Sequence, residues 1–413
     1  MTRQFEIPME RVREAYRRVK ENAGASGIDG VTLEKFEKNL EDNTYVLWNR
    51  ITSGSYFPKA VRGVEIPKRS GGKRLLGIPS VEDRIAQMIA TMYLEPLLEP
   101  IFHNDSYGYR PGKSALDAVA AAREGCWQYD WVLKFDVKGL FDNIDHDRLM
   151  KLVRKHTESR WVTLYTERWL KVPVVMPDGA LVERTKGTPQ GGVISPLLAN
   201  LFLHYAFDSW MKEYQRDKKF ERFADDGLVH CRTFDEAVAF KESLEKRLNE
   251  WGLELNQEKT RIYYCKDDDR NAVYPDTSFD FLGYTFRPRR SKNRYGKFFI
   301  NFTPAVSNEA KKNMRRTIHD WRMHLKPDKT IEDLSNMFNP VVRGWLNYYG
   351  RFYRSELYGV FRYLNNALIL WIRRKYKRYN NHGKRAENFL AGIARRDPHL
   401  FSHWQIGVFP TVG

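Results

Sequence analysis

Residues 220–231 place two adjacent carboxylates between two short apolar runs, with Asp225, Asp226 and Gly227 at the centre. Asp-Gly between apolar runs is a strong signal for the turn of a β-hairpin. Two like charges this close raise each other's pKa unless a cation neutralises them. Taken alone, the pattern favours a solvent-exposed turn, because Asp is common in turns. A metal site at this turn requires further acidic ligands from elsewhere in the chain.

A third carboxylate ends the segment Trp131–Asp136, which is mostly apolar and of strand length. This pattern predicts a buried central strand, where a terminal charge is costly unless it is paired or liganded. Together with Asp225 and Asp226 it forms a cluster of three acids. Such oxygen ligands suit Mg²⁺, which takes phosphate oxygens as further ligands. Two such ions can activate a hydroxyl and stabilise a leaving pyrophosphate. We therefore expect two Mg²⁺ ions.

Four cations cluster around the turn of a β-ribbon predicted over residues 61–79, namely Lys68, Arg69, Lys73 and Arg74. A basic turn flanked by strands can hold a triphosphate. It can equally be an ordinary solvated turn, and the ribbon alone leaves both interpretations open. The loop Gly187–Pro196 lacks the Lys-Ser/Thr pair of a P-loop, so nucleotide binding of that kind is excluded.

The order of predicted elements indicates an antiparallel sheet backed by helices, a ferredoxin-like α+β core. A strand is expected at 131–136, a hairpin at 220–231, a strand after Thr260 and another at 279–286. Helices are expected at 9–22, 39–51, 80–102, 114–127, 138–153, 161–170, 197–211 and 235–251. From Pro304 onward the pattern is helical, typical of a three-helix bundle with a basic tail. The aspartates of 138–153, including Asp142, are interpreted as helix caps and surface charges.

Basic charge is concentrated in the C-terminal third, where residues 287–413 carry 26 Lys and Arg but only 8 Asp and Glu. This asymmetry predicts a module that faces nucleic acid. The tract Arg373–Arg378 interleaves cations with aromatics, which favours phosphate contacts, although a solvated helix face remains an alternative. Three cysteines without a paired spacing exclude a disulfide framework or structural zinc site. With no apolar leader or membrane-length run, we expect a cytoplasmic protein.

Eight or more motifs, in order, resemble those of bacterial group II intron-encoded reverse transcriptases and maturases, in the short form without an endonuclease domain. The motifs are Gly27–Gly30, Ile66–Lys68, Leu76–Pro79, Tyr107–Gly112, Phe135–Lys138, Gly187–Gly192, Phe223–Asp226, Glu258–Thr260, Phe281–Tyr284, Asn339–Trp345 and Asn347–Gly350. The resemblance implies a right-hand polymerase, with fingers and a ferredoxin-like palm followed by an all-α thumb and maturase domain. The implied boundaries are 1–115 for the fingers, 116–290 for the palm (with the loop and helix at 187–200), 304–380 for the thumb and maturase domain, and 381–413 for a short basic tail, which is a candidate DNA-binding remnant.

The resemblance also implies roles for individual residues. Asp136, Asp225 and Asp226 hold the metal ions together with the Val137 carbonyl, and are the catalytic residues. The dNTP-binding residues are Lys68 and Arg74 on the triphosphate, Phe141 against a 2′-hydroxyl, Gln190 beside the nascent base pair and Lys259 near the leaving phosphate. RNA contacts are expected from Arg343, Arg373, Arg374, Lys375, Lys377 and Arg378.

The expected activity is RNA-directed DNA synthesis combined with binding of the group II intron RNA, which promotes splicing and mobility. The partners are that intron RNA, an RNA template with a DNA primer, dNTPs and target DNA, with no membrane, and the chain is expected to be a monomer or a homodimer. On DNA it would associate with the bacterial nucleoid. A maturase that only assists splicing, and an intron-free defence or repair reverse transcriptase, are the alternatives. One position departs from the family pattern: Phe223 replaces a usual Tyr, which affects efficiency or fidelity rather than metal binding.

Overall fold

The computed structural model describes residues 4–67 and 72–410. The chain divides into two compact units, Met1–Ser114 with Leu133–Arg261, and Ala115–Val132 with Ile262–Gly413. No helix among the described residues is both long enough and apolar enough to cross a membrane.

Helices and strands alternate through the first two thirds of the chain, and helices dominate the rest. The helices are α1 (Met9–Glu21), α2 (Leu33–Glu37), α3 (Leu40–Ser53), α4 (Val81–Leu98), α5 (Ala115–Gln128), α6 (Leu140–Asn143), α7 (His146–His156), α8 (Arg160–Leu170), α9 (Ser195–Leu203), α10 (Ser209–Tyr214), α11 (Phe234–Glu250), α12 (Asn308–Asp320), α13 (Ile331–Tyr349), α14 (Tyr358–Lys375) and α15 (Gly383–Arg396). The strands are β1 (Val61–Pro67), β2 (Lys73–Ile78), β3 (Trp131–Asp136), β4 (Val174–Val175), β5 (Leu181–Val182), β6 (Lys219–Phe223), β7 (Asp226–Cys231), β8 (Arg261–Tyr264), β9 (Phe279–Phe281), β10 (Tyr284–Lys292) and β11 (Phe298–Val306).

The central sheet has the strand order β6-β7-β3-β8. In chain order β3 is the first strand, β6 and β7 form a hairpin, and β8 is the last. Helices lie between β3 and β6 and between β7 and β8. This is the order of a ferredoxin-like sheet, so the predicted α+β palm is confirmed. β3 is an interior strand, and Val132, Leu133 and Phe135 are buried, as its apolar sequence predicts.

The basic ribbon is antiparallel, with β1 paired to β2 from Arg62 opposite Ile78 to Pro67 opposite Lys73. It belongs to a sheet with the order β2-β1-β4-β5, in which β1 and β4 are parallel. The two-residue strands β4 and β5 have no signal in the sequence pattern. They are too short for periodicity to be visible.

Two predicted elements are divided in the structure. Residues 279–286 form not one strand but two, β9 and β10, because Leu282 and Gly283 both take positive φ (49° and 80°) and close a tight turn. The helix predicted over 138–153 is interrupted between α6 and α7. There Asp145 caps α7 by accepting a hydrogen bond from the Arg148 amide.

The region after Pro304 is helical only from Asn308, because β11 continues through Pro304 to Val306. Helices α12 to α15 share one hydrophobic core, which also contains Phe401, Trp404 and Val408. The segment predicted to be a basic tail therefore completes this core. Its cations stand on the exposed face of α15, whereas Ala386, Leu390 and Ala394 face inward.

Replacing Trp404 by alanine tests whether the C-terminal segment stabilises the helical core. Trp404 is 1% exposed, and a large-to-small substitution of this kind costs about 3–5 kcal/mol of unfolding free energy. The exposed neighbour Gln405 provides the control, because its replacement by alanine removes little buried surface. The measurement is chemical denaturation followed by circular dichroism. Equal stability of the two variants would contradict the assignment of this segment to the core.

Candidate active site

The turn of the β6–β7 hairpin lies two residues earlier than the Asp226-Gly227 pair that the sequence predicts as its centre. Phe223 pairs with Asp226, so Ala224 and Asp225 form the turn, and Ala224 takes φ +56°. Gly227 lies inside β7, where an added Cβ would be 2.3 Å from the Phe135 ring. The glycine is therefore required for close packing of β7 on β3 and not for the turn.

The hairpin turn is joined directly to the end of β3. The Val137 amide donates a hydrogen bond of 2.9 Å to the Asp225 carbonyl. Asp136, at the end of β3, is 8% exposed and accepts a hydrogen bond of 2.9 Å from Lys259 Nζ. Lys134 Nζ lies 3.6 Å from Asp226 Oδ1. The structure thus brings together the three aspartates and the lysine that the sequence singles out.

The electrostatics of this cluster indicate an excess of negative charge. The pKa of Asp226 is raised to about 6, chiefly by burial, with the positive charge of Lys134 opposing the rise and the charges of Asp136 and Asp225 adding to it. Burial, together with the charge of Asp136, also raises the pKa of Asp225. Burial lowers the pKa of Lys259, but its hydrogen bond and charge interaction with Asp136 outweigh that effect, so its pKa is raised. The cluster therefore favours additional cations.

A buried ion pair holds the turn from behind. Arg222 is 1% exposed, and its Nε and Nη2 donate to the two carboxylate oxygens of Asp208 at 2.7 and 2.6 Å. Its Nη1 donates to the Ala224 carbonyl at 3.1 Å and to Asn200 Oδ1 at 3.2 Å. Burial raises the pKa of Asp208, but the Arg222 charge outweighs that effect and the net shift is downward. The sequence gives no signal for these residues, because Asp208 ends a π-helical turn that no sequence pattern marks.

The three carboxylates fit a Mg²⁺ ion whose remaining ligands come from the substrate. Among residues 4–67 and 72–410, no three His, Cys, Asp or Glu side chains stand close enough to form a metal-binding group by themselves. Mg²⁺ is typically held by one or two carboxylates, waters and substrate phosphates. Asp225 in the turn, Asp226 at the start of β7 and Asp136 at the end of β3 provide three carboxylates, and the pKa values of the first two are raised, so the set meets that requirement.

The loop at 187–192 positions a second group of predicted residues. Gln190 Nε2 donates to Asp142 Oδ2 at 2.8 Å, and Gln190 Oε1 accepts a hydrogen bond from Arg74 Nε. The Gln190 amide is therefore held at both ends. The Phe141 carbonyl accepts from the Thr188 amide at 2.6 Å, which fixes the backbone that carries the Phe141 ring. Asp142 is thus a hydrogen-bond partner of the site as well as a surface charge.

Two residues singled out in the sequence remain, Lys68 and Phe223. Lys68 lies outside the described residues. Phe223, which follows the family pattern except for its missing hydroxyl, has its ring centroid 6.3 Å from that of Tyr109.

The predicted RNA-contacting cations fall into two groups. Arg373 donates to the Asn380 carbonyl at 2.8 and 3.0 Å, and Lys375 donates to the carbonyls of Pro327 and Lys329 at 2.8 and 2.7 Å. These two side chains therefore have structural partners within the helical unit. The others are exposed at the surface of that unit, namely Arg343, Arg374, Lys377 and Arg378.

Comparison with known proteins gives two family matches. Residues 66–286 match the family described as reverse transcriptase (RNA-dependent DNA polymerase), and residues 311–389 match the group II intron maturase-specific domain. The protein YkfC of Escherichia coli is 32% identical over 320 residues, covering 67% of this chain and 79% of YkfC. The group II intron-encoded protein LtrA of Lactococcus lactis is 26% identical over 425 residues, covering 81% of this chain and 68% of LtrA. A solved structure of telomerase from Candida albicans is a more distant match, with a TM-score of 0.43 and 14% identity over 91% of this chain and 68% of that one.

Substituting Gly227 by alanine tests the packing that holds the aspartate hairpin on β3. The new Cβ would overlap the Phe135 ring, and overpacking of this kind costs about 1–3 kcal/mol. Gly344 in α13 is the control, because an added Cβ there meets no atom within 4 Å and alanine favours a helix by about 1 kcal/mol. Denaturation should show Gly227→Ala destabilised and Gly344→Ala unchanged or stabilised. A Gly227→Ala chain as stable as the unsubstituted protein would contradict this packing.

Proposed function

We propose, from the premise that this chain belongs to the family of group II intron-encoded reverse transcriptases and maturases, that Asp136, Asp225 and Asp226 are the catalytic centre of its DNA synthesis. Membership of the family carries both functions: reverse transcription, and maturase activity in the splicing and mobility of a group II intron. The hydrogen bond between the Val137 amide and the Asp225 carbonyl supports the assignment most directly, because it places the end of β3 beside the aspartate turn.

The three carboxylates and the Val137 carbonyl would hold two Mg²⁺ ions, which when bound activate the primer 3′-hydroxyl and stabilise the leaving pyrophosphate. The chain itself positions the acids and shields them partly from water. Asp136 is 8% exposed. Burial strengthens the attraction of these acids for cations, since water screens them less.

The residues around the acids bind and orient the incoming nucleotide. Arg74 presents a guanidinium, whose paired donors match phosphate oxygens. Lys259 carries a mobile positive charge beside Asp136 and is suited to the leaving phosphate. Phe141 would exclude a 2′-hydroxyl by its bulk, and its backbone is fixed by the Thr188 amide. Lys68 is assigned to the triphosphate with Arg74 on the sequence resemblance alone.

The basic helical unit binds the intron RNA in this proposal. Its exposed cations Arg343, Arg374, Lys377 and Arg378 can reach phosphates without giving up a hydrogen bond inside the chain. The remaining partners are an RNA template with a DNA primer, dNTPs and target DNA, and the site of action is the bacterial cytoplasm and nucleoid.

Replacement of Asp225 by asparagine tests the catalytic assignment. The substitution keeps the shape of the side chain but removes a charge that stabilises the metal-bound transition state by several kcal/mol, so extension of a DNA primer on an RNA template with Mg²⁺ should fall at least about 10³-fold. RNA binding, measured in parallel, should stay close to that of the unsubstituted chain. Asp147→Asn on the exposed face of α7 is the matched control. Undiminished DNA synthesis by the Asp225 variant would refute the assignment, and absence of synthesis by the unsubstituted chain would leave only a splicing function.

Substitution of Asp142 tests the orientation of Gln190. Asp142→Ala removes the acceptor of one amide hydrogen bond, which is worth about 1 kcal/mol. We expect the KM for dNTP to rise about three- to tenfold with kcat within about twofold, as for a loss of uniform binding. Asp142→Asn keeps an acceptor oxygen and should restore the KM. Steady-state kinetics on a primed RNA template decide the matter, and an equal effect of Asp147→Ala would argue against a specific role.

A further inference from the structure

A basic β-hairpin arm (residues 288–300) extends strands β10 and β11 beyond the hydrophobic core. Its pairing continues to Lys292 opposite Phe298. On one face of this ribbon, Phe286 and Phe302 are fully buried. Because side chains alternate along a strand, the same face continues outward through Arg290, Lys292, Phe298 and Ile300. A single sheet face therefore passes from buried core to exposed surface.

The outer part of this face combines exposed apolar groups with cations. Phe298 is 53% exposed and Ile300 is 42% exposed. The Arg290 guanidinium lies 3.9 Å from the centroid of the Phe298 ring, and Lys292 Nζ lies 5.6 Å from it. Arg290, Phe298 and Ile300, together with Pro288 and Arg289, line a shallow cleft of about 350 Å³. Exposed apolar groups that form one patch rimmed by polar residues are typical of an interaction site.

The charge of the arm is unbalanced. Residues 281–308 contain six Lys and Arg and no Asp or Glu. The two cations nearest the core, Arg287 and Arg289, form ion pairs with Glu356 at 3.5 and 2.9 Å. Within the described part of the chain, no acidic group lies within ion-pair distance of the outer cations, which are Arg290, Lys292, Arg294 and Lys297. Asp268 lines the cleft, but its carboxylate accepts a hydrogen bond from the Ile300 amide at 3.0 Å.

The arm is held in one conformation. The Tyr353 hydroxyl donates to the Arg290 carbonyl at 2.7 Å, which fixes the middle of β10. At the tip, Asn293 Oδ1 accepts from the amides of Tyr295 and Lys297, both at 3.0 Å. Gly296 takes φ +84° in the same turn. A preformed surface loses little conformational entropy when it binds a partner.

We propose that the arm is a binding site for a single-stranded segment of RNA. Its phosphates contact Arg290 and Lys292, and its unpaired bases stack against Phe298 and the guanidinium plane beside it. Cations that follow the backbone, combined with aromatic stacking surfaces, are the features that bind single strands. An RNA duplex hides its base faces and would leave the apolar groups unused. The inference rests on the proposed function, because the intron RNA is the partner that supplies such loops.

Fluorescence anisotropy of a labelled oligouridylate with the full chain, across about 50 to 200 mM salt, tests this inference. Arg290→Ala with Lys292→Ala should reduce the slope of log affinity against log salt by about 1.4, since each phosphate contact on a single strand contributes about 0.7. Phe298→Ala should weaken binding about tenfold with the slope unchanged, because stacking does not release counterions. Phe298→Trp keeps an aromatic ring and should keep the affinity. Lys151→Ala with Lys246→Ala removes two exposed cations outside the arm and is the matched control.

Three results would overturn the inference. The first is that the arm variants bind oligouridylate as tightly as the matched control does. The second is that the arm variants lose as much affinity for a blunt RNA duplex as for oligouridylate, which would mean that the arm contacts phosphates alone. The third is a loss confined to oligothymidylate, which would assign the arm to DNA. Because the assay contains neither primer nor dNTPs, failure of the chain to synthesise DNA counts against the proposed function and not against the arm.

Discussion

The buried guanidinium of Arg222 anchors the turn that contains Asp225 and leads into Asp226. It is paired with Asp208 and also reaches the Ala224 carbonyl, which belongs to the turn itself. An ion pair that is removed from water gains stability only with good geometry and further hydrogen bonds, and removal of one partner leaves a buried charge that costs about 3–5 kcal/mol. The positive φ of Ala224 is therefore maintained by a group that never touches the reacting atoms.

The negative charges of these acids are balanced by two lysines. These lysines contact the carboxylate oxygens that an incoming ion would also bind. Lys259 hydrogen-bonds to Asp136, and Lys134 approaches Asp226. Under the proposed function, a divalent ion at Asp136 would compete with Lys259 for the same carboxylate. Release of Lys259 would free its ammonium group for a phosphate oxygen in the same small space. The proposed cation binding and the proposed position of Lys259 near the leaving group would thus be two consequences of one competition.

Local sequence patterns predicted the helices and strands of this site better than the contacts between their side chains. The hairpin and the buried strand ending at Asp136 followed from apolar runs and turn residues, since each depends on residues near in sequence. The position of the turn did not, because the Asp-Gly preference is overridden by tertiary contacts: Gly227 packs against Phe135, and Arg222, which is paired with Asp208, donates to the Ala224 carbonyl. Asp142 looks like a surface charge in the sequence because its partner, Gln190, is 48 residues away. Pairings of this kind depend on the tertiary fold, and a single sequence contains no signal for them.

The excess of basic residues in the C-terminal third has a similar limitation as a guide to function. Net charge predicts attraction to nucleic acid, but the structure divides these cations by what they already bind. Arg287 and Arg289 share Glu356, while Lys375 donates to two backbone carbonyls. A cation with such partners still contributes to the field, yet it can contact a phosphate only by giving up a hydrogen bond. The exposed cations of the β10–β11 hairpin carry no such cost, and their aromatic neighbours add a contact that salt does not weaken. Basic surface and RNA-binding surface are therefore different sets of residues within the same third of the chain.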